Sequence, residues 1–189
     1  MKAVCIIPAR GGSRRIPRKN IRLFHGKPII VYSIECAQAS GIFEEVYVST
    51  EDDEIAEVAK RNGASVLARP APFSENSIGT QDVMAAIMNE ISTVDVACCL
   101  YATAPMLNPQ TLKAAMGTLI ENHPYPKYSY IVPCATWLRD PGQFYMGWAG
   151  EFHRKVPLIG LRTGLLPINP NTECDINTEE DWVRAEAMY

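Results

Sequence analysis

Short apolar runs alternate with segments of helical periodicity along the chain. The runs are rich in Val, Ile, Leu and Cys and are bounded by turn-forming residues, which is typical of buried strands. They cover residues 3–7, 45–50, 64–67, 94–101 and 127–134. Between them, apolar residues at helical spacing predict helices over residues 29–39, from about 51 to 61, 81–91 and 111–121. This alternation predicts an α/β fold of three layers, α/β/α, with a mostly parallel twisted sheet between helices.

The C-terminal third has a less regular pattern. Residues 156–166 are expected to form an edge strand, with a turn at Thr163-Gly164. Thr178 is expected to cap a final helix together with Asp181. Further upstream, Ser49 or Thr50 is expected to cap the second helix. The acidic run 51–54 that follows either lies at the positive end of that helix or forms a metal site.

Residues 9–20, with the sequence ARGGSRRIPRKN, follow the first predicted strand directly. From residue 10 to 27 there are seven Lys/Arg and no Asp/Glu, although the chain as a whole has a formal net charge of -3. Ligands of α/β proteins bind where loops leave the carboxyl ends of strands. Such a segregation of positive charge at that place indicates an anionic ligand.

The composition of this segment indicates a triphosphate. Gly11 and Gly12 can bring backbone N–H groups close to a ligand, and Ser13 adds a hydroxyl donor. Charge comes from cations at four positions, Arg10, Arg14, Arg18 and Lys19. The segment contains neither a Walker loop nor a Gly-x-Gly-x-x-Gly motif. A solvated basic surface and a nucleic-acid patch are the alternatives. The acidic chain, with pI ≈ 5.7, disfavours nucleic acid.

The segment ARGGSRRIPRKN resembles the signature of cytidylyltransferases that activate acidic sugars, and the pseudaminic acid branch in particular. The resemblance implies a Rossmann-like, glycosyltransferase-A-like nucleotidyltransferase fold and the transfer of CMP from CTP to an acidic nonulosonic sugar. Pseudaminic acid is favoured, with N-acetylneuraminate, legionaminate or a KDO-type acid as alternatives. A nucleotide-binding relative without transferase activity is the alternative from another class.

The resemblance implies a set of site residues. Arg10 and Lys19 are expected to be catalytic, by stabilising charge on the departing phosphates. The CTP-binding residues are expected to be Arg10, Gly11, Gly12, Ser13, Arg14, Lys19, Asn20, Arg69 and Thr80. In this set Arg69, at a strand end, could donate to the cytosine carbonyl or form a surface ion pair. Thr80 could donate to the ligand or only cap a helix.

The sugar and metal residues are expected further along the chain. Tyr101 and Thr103, in a segment YATAP after the central predicted strand, would flank the same crevice, and Gln143 and Phe144 lie in DPGQFYMG, which resembles a strand of the family. Relatives carry Asp-Ile-Asp-Thr-Glu where this chain has Asp175 and Asn177. The resemblance implies that these two positions hold Mg²⁺, or Mn²⁺. An asparagine carbonyl brings no charge, so weaker metal binding is expected.

One departure from the family is a missing segment. Relatives carry a long excursion that covers the sugar and packs against a second subunit, whereas this chain is shortened near residues 134–140. A single nucleotidyltransferase domain over residues 1–189 is expected, with a possible homodimer weakened by the shortening.

Composition adds three expectations. With 189 residues and 47% hydrophobic positions, the chain suffices for one domain with a sizeable core. No apolar run approaches the roughly 18 residues that span a bilayer, and no signal-peptide pattern occurs, so a cytoplasmic protein without membrane contact is expected. The six cysteines have no C-x-x-C spacing and are expected to be buried thiols rather than disulfides or zinc ligands.

Overall fold

The computed structural model describes residues 1–69, 79–91, 93–121, 123–135 and 142–189. Within these ranges the strands, labelled β1 to β9, are Ala3–Pro8, Leu23–Phe24, Lys27–Pro28, Glu45–Thr50, Ser65–Ala68, Val96–Leu100, Tyr130–Cys134, Phe144–Trp148 and Thr163–Pro167. The α-helices, labelled α1 to α6, are Ile29–Ser40, Asp53–Arg61, Thr80–Glu90, Pro109–Ile120, Ala149–His153 and Glu179–Met188. Short 3-10 turns cover Lys19–Ile21 and Pro170–Thr172.

A central sheet of seven strands has the order β5-β4-β1-β6-β8-β7-β9. Strands β5, β4, β1 and β6 are parallel, so that Cys5 of β1 lies opposite Val46 on one side and Cys98 on the other. Strand β8 pairs antiparallel with both β6 and β7, and β9 runs parallel to β7. The expected mostly parallel sheet is confirmed, and β8 is its antiparallel strand within the described residues.

Both faces of the sheet are covered by helices. In β1, Cys5 and Ile7 belong to one buried cluster, to which α1, α2 and α4 contribute. Val4 and Ile6 point to the other face, where α3 and α5 supply Met84 and other apolar residues. Because successive side chains of a strand alternate between faces, a strand that is apolar throughout requires cover on both sides. The three-layer arrangement follows.

A third cluster joins the basic segment to the last helix. Ile16, Phe24 and Tyr32 pack with Ile176 of the approach to α6 and with Trp182 of α6. Ile16 is fully buried although its neighbours on both sides are exposed. The apolar side chain of Ile16 therefore fixes the middle of a highly charged segment to the body of the protein.

The structure corrects two local expectations. Asp52, rather than Ser49 or Thr50, is the N-cap of α2, because its side chain accepts a hydrogen bond from the Ile55 N–H at 3.0 Å. Thr163 and Gly164 lie in β9 instead of forming a turn. A Cβ at Gly164 would approach Ile131 Cδ1 to 2.6 Å, so this glycine allows close packing on β7.

Other expectations are confirmed. Thr178 and Asp181 form the capping box of α6. All six cysteines are thiols, five of them buried and Cys134 partly exposed. Burial raises the pKa of the Cys36 thiol to about 12. Within the described ranges, no helix combines the length and apolar character needed to cross a bilayer. Residues 70–78 lie outside the described residues, as do residues 136–140 of the segment expected to be shortened near 134–140.

Candidate active site

A cavity of about 480 Å³ opens at the carboxyl ends of β1 and β6. Five cationic side chains line it, Arg10, Arg14, Arg15, Lys19 and Arg69, and no Asp or Glu among the described residues does. With so many positive charges in one concave site, the site favours a polyanionic ligand. Its position at the ends of two adjacent parallel strands is the one expected for ligands of α/β sheets.

A smaller cavity of about 280 Å³ adjoins the first. The two share Lys19, Tyr101, Thr103 and Asn177, and the smaller one adds Gly142 and Asp175. A Cβ at Gly142 would lie 2.7 Å from the Asp175 carboxylate, so glycine is needed for this approach. The shared residues mark the junction at which ligands of the two cavities would meet.

The base of the basic loop is closed by Asn20. Its side-chain Nδ2 donates to the carbonyl oxygen of Arg10 at 2.9 Å, and the residue is 8% exposed. Because this hydrogen bond joins residues 10 and 20, the residues between them form a loop whose two ends are held together. Asn20 also lines the large cavity, as the sequence predicts.

The seven cations of the basic segment fall into two groups. Arg10, Arg14, Arg15 and Lys19 face the large cavity. The others form ion pairs elsewhere: Arg18 with Asp52 and Glu54, Arg22 with Glu179, and Lys27 with Glu35. The sequence-based assignment of Arg18 to the phosphate cradle is therefore not supported by its position, because its guanidinium is engaged by two carboxylates.

Lys19 lies at the junction of the two cavities. Its Nζ donates to the carbonyl oxygen of Ile176 at 2.7 Å. Burial lowers the pKa of Lys19, and the nearby Asp175 carboxylate opposes this effect. The carbonyl holds the ammonium group in place while its remaining N–H donors stay available to a ligand.

Arg69 follows β5 and is 8% exposed. Its buried Nε has no hydrogen-bond partner among the residues that the structure describes. Burial lowers its pKa, which the Glu51 carboxylate partly counteracts. A buried guanidinium with an unsatisfied donor at a cavity wall is costly unless a ligand supplies an acceptor. This arrangement supports the binding role of Arg69 over a surface ion pair.

Thr80 and Tyr101 share a hydrogen bond of 2.9 Å between their hydroxyl oxygens, and both line the large cavity. Gly79, not Thr80, is the N-cap of α3, and no side-chain hydrogen bond caps it. The expectation that Thr80 caps this helix is therefore wrong. The hydroxyl is instead oriented toward the cavity wall by Tyr101.

Several predicted site residues do not line either cavity. Gly11 donates its N–H to Glu51 Oε1 at 2.8 Å, outside the cavity. Gly12 is exposed beside it. Gln143 is 2% exposed and donates from Nε2 to the Thr172 carbonyl at 2.7 Å. Phe144 is buried in the core of the sheet. Their roles stay predictions from the resemblance.

Asp175 and Asn177 both line the small cavity, as the metal prediction requires. Asn177 Oδ1 accepts a hydrogen bond from Arg15 at 2.9 Å. Among the described residues no group of three or more His, Cys, Asp or Glu could hold a metal ion. One carboxylate and one amide oxygen fit Mg²⁺ if phosphate oxygens and water complete its coordination.

Sequence reasoning missed Arg15 and the role of the acidic run 51–54. Arg15 was part of the motif, but only the fold brings it to the cavity opposite Asn177. The acidic run neutralises Arg18 and caps α2 rather than forming the metal site considered as an alternative. A basic segment without a single acidic residue was itself a signal that carboxylates from elsewhere must balance part of its charge.

The fold and the cationic cavity together define an α/β protein with a polyanion site at the carboxyl ends of its parallel strands. Over all of this chain, the structure matches CMP:2-keto-3-deoxy-manno-octonic acid synthetase complexed with CTP, with a TM-score of 0.77, 16% identity and 98% of that chain covered. At this identity the match concerns the fold alone. The model of the cytidylyltransferase family matches residues 4–146, and the chain belongs to that family.

Two relatives align with this chain over its full length and share the same name. The chain is similar to two proteins named pseudaminic acid cytidylyltransferase from Campylobacter jejuni subsp. jejuni. It is 42% identical to that of serotype O:23/36 and 44% identical to that of serotype O:2, in both cases over all of this chain and 97% of the relative. Each alignment runs over 229 residues whereas the chain has 189, so about 40 positions have no counterpart in this chain.

Proposed function

We propose that this protein transfers CMP from CTP to the anomeric hydroxyl of an acidic nonulosonic sugar, pseudaminic acid being the favoured acceptor. Membership of the cytidylyltransferase family and full-length similarity to pseudaminic acid cytidylyltransferases support it. The observation that carries it is the large cavity, because five cations, with no carboxylate beside them in the described part of the lining, suit a triphosphate. Acceptors of the N-acetylneuraminate, legionaminate or KDO type remain alternatives for the same nucleotide site.

In this reaction the anomeric hydroxyl oxygen attacks the α-phosphorus of CTP. A new phosphorus–oxygen bond forms, the bond from the α-phosphorus to the bridging oxygen breaks, and pyrophosphate leaves with the electron pair. The proton of the hydroxyl group is released. Such transfers depend on positioning and charge neutralisation more than on covalent catalysis.

The two cavities suggest how the substrates are arranged. The triphosphate would lie in the large cavity against Arg10, Arg14 and Arg15, with the base toward Arg69 and Thr80. The acceptor would enter from the small cavity, near Tyr101 and Thr103. Lys19 lines both cavities, so its ammonium group would neutralise charge at the reacting phosphate.

Asp175 and the amide oxygen of Asn177 would hold a Mg²⁺ ion at the small cavity. When bound, the ion would neutralise negative charge on the phosphate oxygens of the nucleotide. Of these two residues only Asp175 is a carboxylate, and Asn177 Oδ1 already accepts a hydrogen bond from Arg15. We expect metal affinity to depend strongly on the nucleotide.

A second candidate function is nucleotide binding without transfer. The shorter chain favours it, because about 40 aligned positions have no counterpart in this chain and the segment expected to cover the sugar is predicted to be shortened near residues 134–140. The nucleotide side of the site would remain, and the acceptor side would be incomplete. Fold and binding site can persist after a reaction is lost.

The test is pyrophosphate release from CTP and Mg²⁺ with a panel of acidic sugars, and with ATP, GTP and UTP as nucleotide controls. Release with CTP and one sugar supports the transferase and identifies its acceptor. Absence of release across the panel, in folded protein that binds CTP, contradicts the transferase and supports the binding function.

We further propose that residues 1–189 form one domain and that the protein acts in the cytoplasm. A homodimer weakened by the missing positions is part of the same proposal. Sedimentation equilibrium of the whole chain measures the molar mass in solution and therefore tests the homodimer.

A further inference from the structure

The basic loop, residues 10–20, must place several like charges side by side. Arg10, Arg14, Arg15 and Lys19 all line one cavity. Their mutual repulsion favours an opened or rotated loop when no anion is present. The loop conformation therefore needs contacts that oppose this repulsion from outside the cavity.

Two such contacts come from one short acidic segment at the start of α2. At one end of the loop, the Gly11 N–H donates to Glu51 Oε1 at 2.8 Å. At the other end, Arg18 donates to both carboxylate oxygens of Asp52, with Arg18 Nη2 to Oδ1 at 3.0 Å, and also contacts Glu54. The excursion carrying Arg14 and Arg15 lies between these two fixed points.

Asp52 is itself rigidly held. Its Oδ1 accepts the N-cap hydrogen bond from Ile55, and its backbone N–H donates to Thr50 Oγ1 at 3.1 Å. A Cβ at Gly11 would collide with its carboxylate, so the loop lies directly against this side chain. The Asp52 side chain is 18% exposed. A fixed carboxylate of this kind can set the position of the cationic segment that it contacts.

The backbone of Arg18 has an uncommon conformation at this contact. Arg18 has φ 54°, in the left-handed region that non-glycine residues occupy only at a cost of about 1 kcal/mol or more. The bidentate contact with Asp52 offsets this cost. Reversing the chain direction at Arg18 lets Ile16 enter the core and Lys19 face the cavity.

We propose that Asp52 is a positioning residue for polyphosphate binding: through Arg18 it holds the loop so that Arg14 and Arg15 face the phosphates. The inference rests on the proposed function only in taking the ligand to be a polyphosphate. Asp52 itself does not line the cavity. Its effect on the ligand is therefore indirect.

The experiment compares Asp52→Asn with the parent, using calorimetric titration with pyrophosphate and, separately, with cytidine. Asparagine caps helices as well as aspartate does, so α2 is preserved. We expect pyrophosphate binding to weaken about tenfold, the loss of about one charge-assisted contact, and cytidine binding to stay unchanged.

Electrostatics alone predicts the opposite sign, because removing a negative charge near a cationic cavity strengthens anion binding. Glu57→Gln is the matched control: Glu57 is an exposed residue of the same helix, paired with Arg61, and its loss changes the net charge equally. Arg18→Gln should reproduce the effect of Asp52→Asn, and the double variant should be no weaker than either single variant. If Asp52→Asn does not fold, Arg18→Gln provides the test, with Arg61→Gln, which removes an exposed cation of α2, as its charge-matched control.

Three results would overturn the proposal: pyrophosphate affinity unchanged or increased in both single variants, equal losses for pyrophosphate and cytidine, or no pyrophosphate binding by the parent. Pyrophosphate binding that responds as expected, in a protein without transfer activity, would contradict the proposed function and leave this inference standing.

Discussion

The large and small cavities share a wall but differ in charge. The large one has five cationic residues and no described carboxylate, whereas the small one combines Lys19 and Asp175 with three amide or hydroxyl side chains, those of Tyr101, Thr103 and Asn177. The first is suited to a polyanion, and the second to a ligand with both polar and charged groups or to a cation. In the proposed function the nucleotide phosphates would occupy the cationic cavity and the acceptor the cavity of mixed charge, with Lys19 lining both.

Removing a cation from the large cavity should have the largest effect. For Arg10→Ala we expect the Kd for CTP to rise by about 10- to 100-fold, because a charge-assisted hydrogen bond contributes about 1.5–3 kcal/mol. Titration calorimetry measures it. Arg61→Ala, an exposed arginine on α2, is the control and should bind CTP as the parent does. Equal affinities of the parent and Arg10→Ala would contradict the assignment of the large cavity to the triphosphate.

Changes in the small cavity should instead alter metal dependence. For Asp175→Asn we expect the Mg²⁺ concentration for half-maximal pyrophosphate release to rise about tenfold, because a carboxylate ligand is lost. Asn177→Asp should lower that concentration by adding a carboxylate. Cytidine binding without metal should not change in either variant. If Asn177→Asp leaves the Mg²⁺ dependence unaltered, residue 177 is not a ligand.

The next prediction concerns the hydrogen bond between the hydroxyl groups of Tyr101 and Thr80. For Tyr101→Phe we expect about a threefold to tenfold loss in kcat/KM, because the hydroxyl that orients Thr80 is removed, a net hydrogen bond of about 1 kcal/mol. Thr80→Val should cost a similar amount, and the double variant little more. Additive losses would show that the two hydroxyl groups act independently.

The smallest expected effect concerns the ion pair between Arg18 and Asp52, which lies outside the large cavity. The hydrogen bond from Arg18 lowers the pKa of Asp52 below its ordinary value of 3.8. The ionised pair therefore stabilises the fold above that pH, and this contribution is lost as the pH falls through the lowered pKa. Lowering the pH from 5 to 3 should reduce the melting temperature of Asp52→Asn by about 2 °C less than it reduces that of the parent. An identical acid dependence in both proteins would contradict the lowered pKa.

Much of the fold could be predicted from the sequence because its signals are local. The apolar runs of β1, β4 and β6 and the helical spacing of α1 to α4 require only neighbouring residues to be recognised. The hairpin β2–β3, with two residues a strand, and the five-residue helix α5 lack such a pattern. The residues before β9 also lack a clear local pattern. The sequence therefore predicts a strand over residues 156–166 with a turn at Thr163-Gly164, whereas the strand is Thr163–Pro167.

The sequence by itself determined the parallel α/β core, the position of the basic loop at the end of β1 and the type of ligand that such a loop attracts. From the motif and the family resemblance it also predicted site positions for Arg10, Lys19, Arg69 and Asp175, and all four line one of the two cavities. Only the tertiary structure decided which cations face the cavity. Seven Lys and Arg residues are equivalent in a linear sequence, and carboxylates more than 30 residues away, such as Asp52 and Glu179, engage Arg18 and Arg22. Ion pairs between distant segments form through folding, so the cations left facing the ligand can be known only from the fold.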